Sequence, residues 1–166
     1  MSITIRAASA ADWPALWPIV EPVVREGETY TYPPDATSEQ ARDLWLAEPP
    51  GETVLAEDGG VVLGTARLGP NKPGHGDHVG TAGFMVAPAA RGRGVARALA
   101  LHAIDWHREL GYRGIQFNAV VETNVAAVHL WQSLGWRIVG TVPGAFRSPQ
   151  HGFVGLHVMY LDLTAE

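Results

Sequence analysis

The stretch from Val79 to Val121 constrains the fold more than any other. VGTAGFMV (79–86) reads as a strand, a helix is predicted from about 92 to 110, and GIQFNAVV (114–121) reads as a second, buried strand. A strand–helix–strand unit puts its two strands parallel, joined by a right-handed crossover. Around it the signals are antiparallel. TVLAED (53–58) and VVLGTARLG (61–69) are linked by Gly59-Gly60, a two-residue hairpin signal. RIVGTVP (137–143) and GFVGLHVMYLDL (152–163) supply two further strands, and SITIRA (2–7) alternates with Ile3 and Ile5 on one face.

Helices are predicted near 10–26, over 38–47 and over 125–134. Ser9 is placed to cap the first, and Pro14 suits its first turn, but Pro18 and Pro22 are expected to kink or break it. Asn124 and Gly135 bound the last helix. The order β-α-α-β-β-β-α-β-α-β-β implies an α+β fold. Helices should cover both faces of a mixed, mostly antiparallel sheet of about seven strands around a central parallel pair, with about four helices in all.

The 166 residues suit one domain spanning 1–166, with 46% hydrophobic and 17% charged residues. A net charge of −5 argues against nucleic acid as a generic partner and against an anionic membrane surface. No apolar run approaches a membrane span, and MSITIRAASA has no signal-peptide core, so a soluble cytoplasmic protein is expected. With no cysteine in the chain, thiolate metal sites and a cysteine nucleophile are excluded.

Against that acidic background, VAPAARGRGVARAL (86–99) gathers arginine and glycine at the start of a helix. The first N–H groups of a helix lack intrahelical partners and lie at the positive end of its dipole. Gly92 and Gly94 let an anion approach them, and Arg91, Arg93 and Arg97 can close around it. A diphosphate is the natural guest. The spacing is neither a nucleotide P-loop, since no GxxxxGK[ST] occurs, nor a dinucleotide fingerprint, since Gly92 to Arg97 gives only GxGxxR.

Arg91-x-x-Gly94-x-Ala96 matches the [QR]-x-x-G-x-[GA] signature of the GNAT superfamily of N-acetyltransferases, and Val86-Ala87-Pro88 resembles its lead-in. Asn124-x-x-Ala127-x-x-Leu130-Trp131, followed by Gly135-Trp136, resembles the family's later helix. The order of elements agrees from Ile3 to about Leu163. The resemblance implies that the central parallel strands splay and hold acetyl-CoA between them. It assigns the pantetheine arm to backbone near Phe84, Met85 and Val86, and the diphosphate to the N–H groups of Arg91, Gly92, Arg93, Gly94, Val95 and Ala96. Asn124, Ala127 and Trp131 complete the implied acetyl-CoA site. The N–H of Met85 or Val86 would polarise the thioester carbonyl. The acetyl group would pass directly to an amine, with no covalent enzyme intermediate.

Two departures stand out. The tyrosine that many relatives use as general acid is Trp131 here, whose indole cannot protonate a thiolate. A CoA thiol resembling cysteine, with a pKa near ~8.5, leaves tolerably without one. Asn118, an amide in an apolar strand, and Asn124 are the alternative donors to the thioester; Asn124 also reads as a helix cap. Strand 79–86 holds no acid to serve as base, which leaves His78, Glu28 and Glu122 as candidates. His75-x-x-His78 with Asp77 lacks a third partner and reads as a polar loop, so no metal is expected.

By the same resemblance the loop at 27–37 borders the acceptor site. Glu28 would attract a cationic amine, Tyr30 would pack its carbon frame, and Thr81 stands where an asparagine is expected. The pattern is closest to a branch acting on small amines and amino-acid or proline analogues. The expected function is transfer of acetyl from acetyl-CoA to a small-molecule amine by a homodimer. The alternatives are acetylation of a protein N-terminus or lysine, and a silent acyl-CoA-binding module.

Overall fold

A computed structural model describes residues 1–165. Seven strands form one sheet in the order β1-β2-β3-β4-β5-β7-β6. They are β1 (Thr4–Ala7), β2 (Glu52–Asp58), β3 (Val61–Pro70), β4 (Val79–Val86), β5 (Gly114–Val121), β6 (Arg137–Ser148) and β7 (Gly152–Asp162). The helices are α1 (Trp13–Glu26), α2 (Ser38–Trp45), α3 (Val95–Glu109) and α4 (Val125–Ser133). Every neighbouring pair of strands is antiparallel except β4 and β5. The α+β architecture and the central parallel pair therefore stand as the sequence implies.

Apolar periodicity sets which faces are covered. On one face α1 and α2 bury Leu16, Val20, Val24 and Trp45 together with Leu55 and Met85 of the sheet. On the other, α3 buries Val95, Leu99 and Ala103 against Ala66 and Leu68, and α4 packs Trp131 onto Phe117 and Trp136. No helix of the described residues is long and apolar enough to cross a membrane.

Three expectations need correction. The helix predicted from 92 begins at Val95, because Gly92 (φ 74°) and Gly94 (φ 80°) are left-handed and belong to the turn before it. The strand predicted to end at 143 continues to Ser148, because β6 is the outermost strand, where a proline costs no ladder bond; the register shifts between Val142 and Phe146. Pro18 and Pro22 do not break α1, which runs unbroken from Trp13 to Glu26. Pro14, Pro18 and Pro22 are spaced four apart on the exposed face, so the carbonyls of Pro14 and Pro18, which lose an α-helical partner to Pro18 and Pro22, lie on the solvent side.

Candidate active site

β4 and β5 stay in register only at Val79–Gly114 and Gly80–Ile115 and then part. A cavity of about 810 Å³ fills the opening, running from Thr29, Tyr30 and Thr31 past Thr81 to Val86, and on to Arg91, Gly94 and Arg97. Asn118, Asn124, Ala127 and Trp131 line its other wall.

At one end lies the α3 N-terminus. Its first intrahelical bond runs from Ala98 N–H to Gly94 C=O at 3.0 Å, which leaves the N–H groups of Val95, Ala96 and Arg97 without helical partners. A Cβ at Gly92 or Gly94 would meet nothing within 4 Å, so the space before the helix is open. The Arg91 guanidinium is exposed, and its one ion pair among the described residues, to Glu26, is stretched to 4.0 Å. Arg93 reaches the Met1 sulfur at 3.0 Å, and Arg97 reaches Ser133 at 3.5 Å. Backbone donors plus a loosely held arginine suit a diphosphate.

The middle of the cleft is set by strand parity. Asn71 N–H donates to Val79 C=O, and Ala87 N–H to Leu63 C=O, so the odd positions of β4 turn their backbone groups toward β3. The even positions, Phe84 and Val86, face the gap. The expectation that Met85 could supply the thioester donor is thereby corrected: its N–H points at β3 and its side chain is buried in the core. Val86 presents the N–H that faces the cleft.

Phe84 already has a partner. Its N–H donates to the Tyr30 hydroxyl at 2.7 Å, and that hydroxyl donates to Phe84 C=O at 2.8 Å. One phenol thus stands in for the strand that has moved away. Gly83 makes room for it, since a Cβ there would lie 3.1 Å from the hydroxyl and 3.3 Å from Trp45. Burial pushes the Tyr30 pKa well above its ordinary value, so the hydroxyl keeps its proton.

The remaining predicted residues divide. Thr81, Asn118 and Trp131 line the cavity. The Asn118 amide donates to Asn71 Oδ1 at 2.6 Å and accepts from Gln116 at 3.0 Å. The Asn124 side chain accepts from Ala127 N–H at 3.4 Å, a helix-cap bond. Trp131 packs its ring 4.9 Å from Phe84 and 5.1 Å from Phe117, forming the apolar wall. Glu28 is turned away: its carboxylate accepts from Ser148 Oγ at 2.6 Å and from Gln150 N–H at 3.0 Å, fastening the 27–37 loop to the β6–β7 hairpin. Glu122 is likewise taken, accepting from Gly155 N–H at 2.6 Å. His78 is exposed at the far end of β4. The cavity wall includes none of these three. The sequence reading missed Trp45, which packs against Gly83, and Arg67, which pairs with Gly83 in register, although a lone arginine in VVLGTARLG was visible.

The family model described as the acetyltransferase (GNAT) family matches residues 14–136. The chain belongs to the GNAT family. A GNAT structure from Kribbella flavida is 57% identical, with a TM-score of 0.93 over 97% of this chain and 98% of that one. A Salmonella typhimurium protein solved with its cofactor acetyl-CoA is 25% identical, with a TM-score of 0.83 over 100% of this GNAT chain and 96% of its own. The N-acetyltransferase aca1 of Schizosaccharomyces pombe is 30% identical over 127 residues, 76% of this chain and 57% of the yeast protein. The chain spans little more than half the length of that curated relative and less than half of two others. The splayed β4–β5 pair and the glycine-rich helix start both lie within the residues that the family model matches.

Proposed function

We propose that this GNAT chain transfers an acetyl group from acetyl-CoA directly to the amine of a small molecule. One observation carries the reading: a single cavity joins an anion-binding helix start to a strand gap edged by the Val86 N–H. In this reading the N–H groups of Val95, Ala96 and Arg97, with Arg91, Arg93 and the Gly92–Gly94 turn, hold the diphosphate. Phe84 and Val86 border the pantetheine arm, with Ala127 and Trp131 on the opposite wall. Val86 N–H donates to the thioester oxygen, a role in which donors fixed beforehand are most effective. Thr81, Tyr30 and Asn118 face the acceptor; Asn124 acts by capping α4.

No acid lines β4, so proton removal from the amine is assigned to water ordered along Thr81 and Asn118. The loop that Glu28 fastens to Ser148 borders the cavity through Thr29, Tyr30 and Thr31, and its fixed position favours a small amine over a protein chain. Exposed Val139 and Val142 on the outer strand β6 support a homodimer.

The test is release of free CoA thiol from acetyl-CoA in the presence of a panel of small amines, peptides and protein acceptors. Turnover on small amines supports the reading. Turnover confined to peptides or proteins selects the protein-modifying alternative. Acetyl-CoA binding without turnover on any acceptor selects the silent binding module.

A further inference from the structure

Arg67 interrupts the apolar run of β3 on the acceptor side of the sheet. In register it lies between Thr53 of β2 and Gly83 of β4, and opposed residues of neighbouring strands share a face. That face carries Thr81, and Tyr30 and Trp45 crowd onto Gly83 from it. Arg67 therefore stands one strand behind the wall that Thr81 and Gly83 give to the cavity. Its charge pulls the Tyr32 phenol pKa down, against the larger upward push of burial, so the guanidinium lies within electrostatic reach of that hydroxyl. The Tyr32 ring in turn packs 5.5 Å from Tyr30.

What marks this arginine is that nothing answers it. Its Nε is shut off from solvent and has no hydrogen-bond partner. Among the described residues no carboxylate forms an ion pair with it. An arginine on an open surface would hydrate its Nε; here that N–H is left unpaired, and because it is closed to solvent a ligand would be met by the Nη groups. A guanidinium fits a planar two-oxygen anion better than any other partner. Glu28, the carboxylate the sequence suggested for this region, is held by Ser148 and Gln150.

We propose that Arg67 binds the carboxylate of the acceptor, so that the amines taken by this chain are free amino acids and their close analogues. The proposal rests on the acetyl-transfer reading and names its acceptor class. Val86 N–H lies three residues further along β4 than Gly83, about 10 Å at about 3.3 Å per residue. The long arginine stem and a small amino acid between them span that distance, with the amine toward the thioester.

The experiment compares matched pairs of acceptors, leucine with isopentylamine and phenylalanine with phenethylamine, by CoA thiol release. Acetyl-CoA affinity is measured separately by calorimetry. The parent protein is expected to favour the carboxylate-bearing member by about tenfold or more in kcat/KM, equivalent to about 1.4 kcal/mol. R67Q should lower that ratio about tenfold, chiefly through KM, while acetyl-CoA affinity holds. R67K, which keeps the charge but not the fork, should fall between them. Equal use of both members, retention of the preference in R67Q, or failure of every carboxylate-bearing amine while their carboxylate-free partners are acetylated would each overturn the role of Arg67. No acetyl-CoA binding by the parent protein, or binding with no turnover on any amine, would instead remove the transfer reading on which the proposal stands, and the proposal with it.

Discussion

Tyr30→Phe removes one oxygen atom and leaves the ring that packs edge-on to Trp45 at 5.9 Å. The lost hydroxyl serves two backbone groups, Phe84 N–H at 2.7 Å and Phe84 C=O at 2.8 Å. Each such bond contributes about 1 kcal/mol net, and a buried group left bare costs about 1–3 kcal/mol. Because these groups edge an open cleft, water recovers part of the loss, and the expected destabilisation is about 1–2 kcal/mol. For a chain of this size that is a fall of about 2–8 °C in Tm. Urea unfolding should show a lower midpoint at an unchanged slope, since the area exposed on unfolding hardly differs. A variant as stable as the parent would refute the idea that this phenol replaces a strand as the partner of Phe84.

Arg91→Ala should weaken acetyl-CoA binding about tenfold by calorimetry. Its melting should be nearly unchanged, because the partner lost, Glu26, lies 4.0 Å away on the surface. Gly94→Ala should cost about 1–2 kcal/mol in urea unfolding although its methyl meets nothing, because φ is 80° there. His107 is fully buried, its Nδ1 2.7 Å from Ala103 C=O, and burial holds its pKa below the ordinary value. The unfolded chain therefore takes up a proton that the native state refuses. Stability should be complete above about pH 6.5 and decline below it by up to about 1.4 kcal/mol per pH unit, until the lowered native value is reached. Urea midpoints across that range check this, and a slope that persists in His107→Gln would assign it to another group.

Features with a local cause could be read from the sequence. The anion cradle was legible because glycines, arginines and a helix start are contiguous at 91–97. The boundary error of three residues at α3 arose because Gly92 and Gly94 read equally well as a first turn or as the loop before it. The fate of Pro18 and Pro22 depended on which face of α1 the sheet would cover, and no local signal decides that. Glu28 was assigned to the acceptor because its partner, Ser148, lies 120 positions away in the chain. Met85 and Val86 could not be told apart until the pairing with β3 fixed which of them turns toward the gap. Arg67 was readable as an anomaly in its strand, but only the register puts it beside Gly83.

The sheet is joined across its centre by just two residue pairs, at Val79–Gly114 and Gly80–Ile115. Mechanically it is two plates riveted at one edge, with their free ends spread. β1 to β4 belong to one plate, and β5, β7 and β6 to the other. At the spread end, among the described residues, only side chains such as Phe84 and Phe117 meet across the gap, so a molecule that bonds to both plates there completes the joint. A tight fit there stiffens the sheet, and a loose fit at the gap is felt as play between the plates.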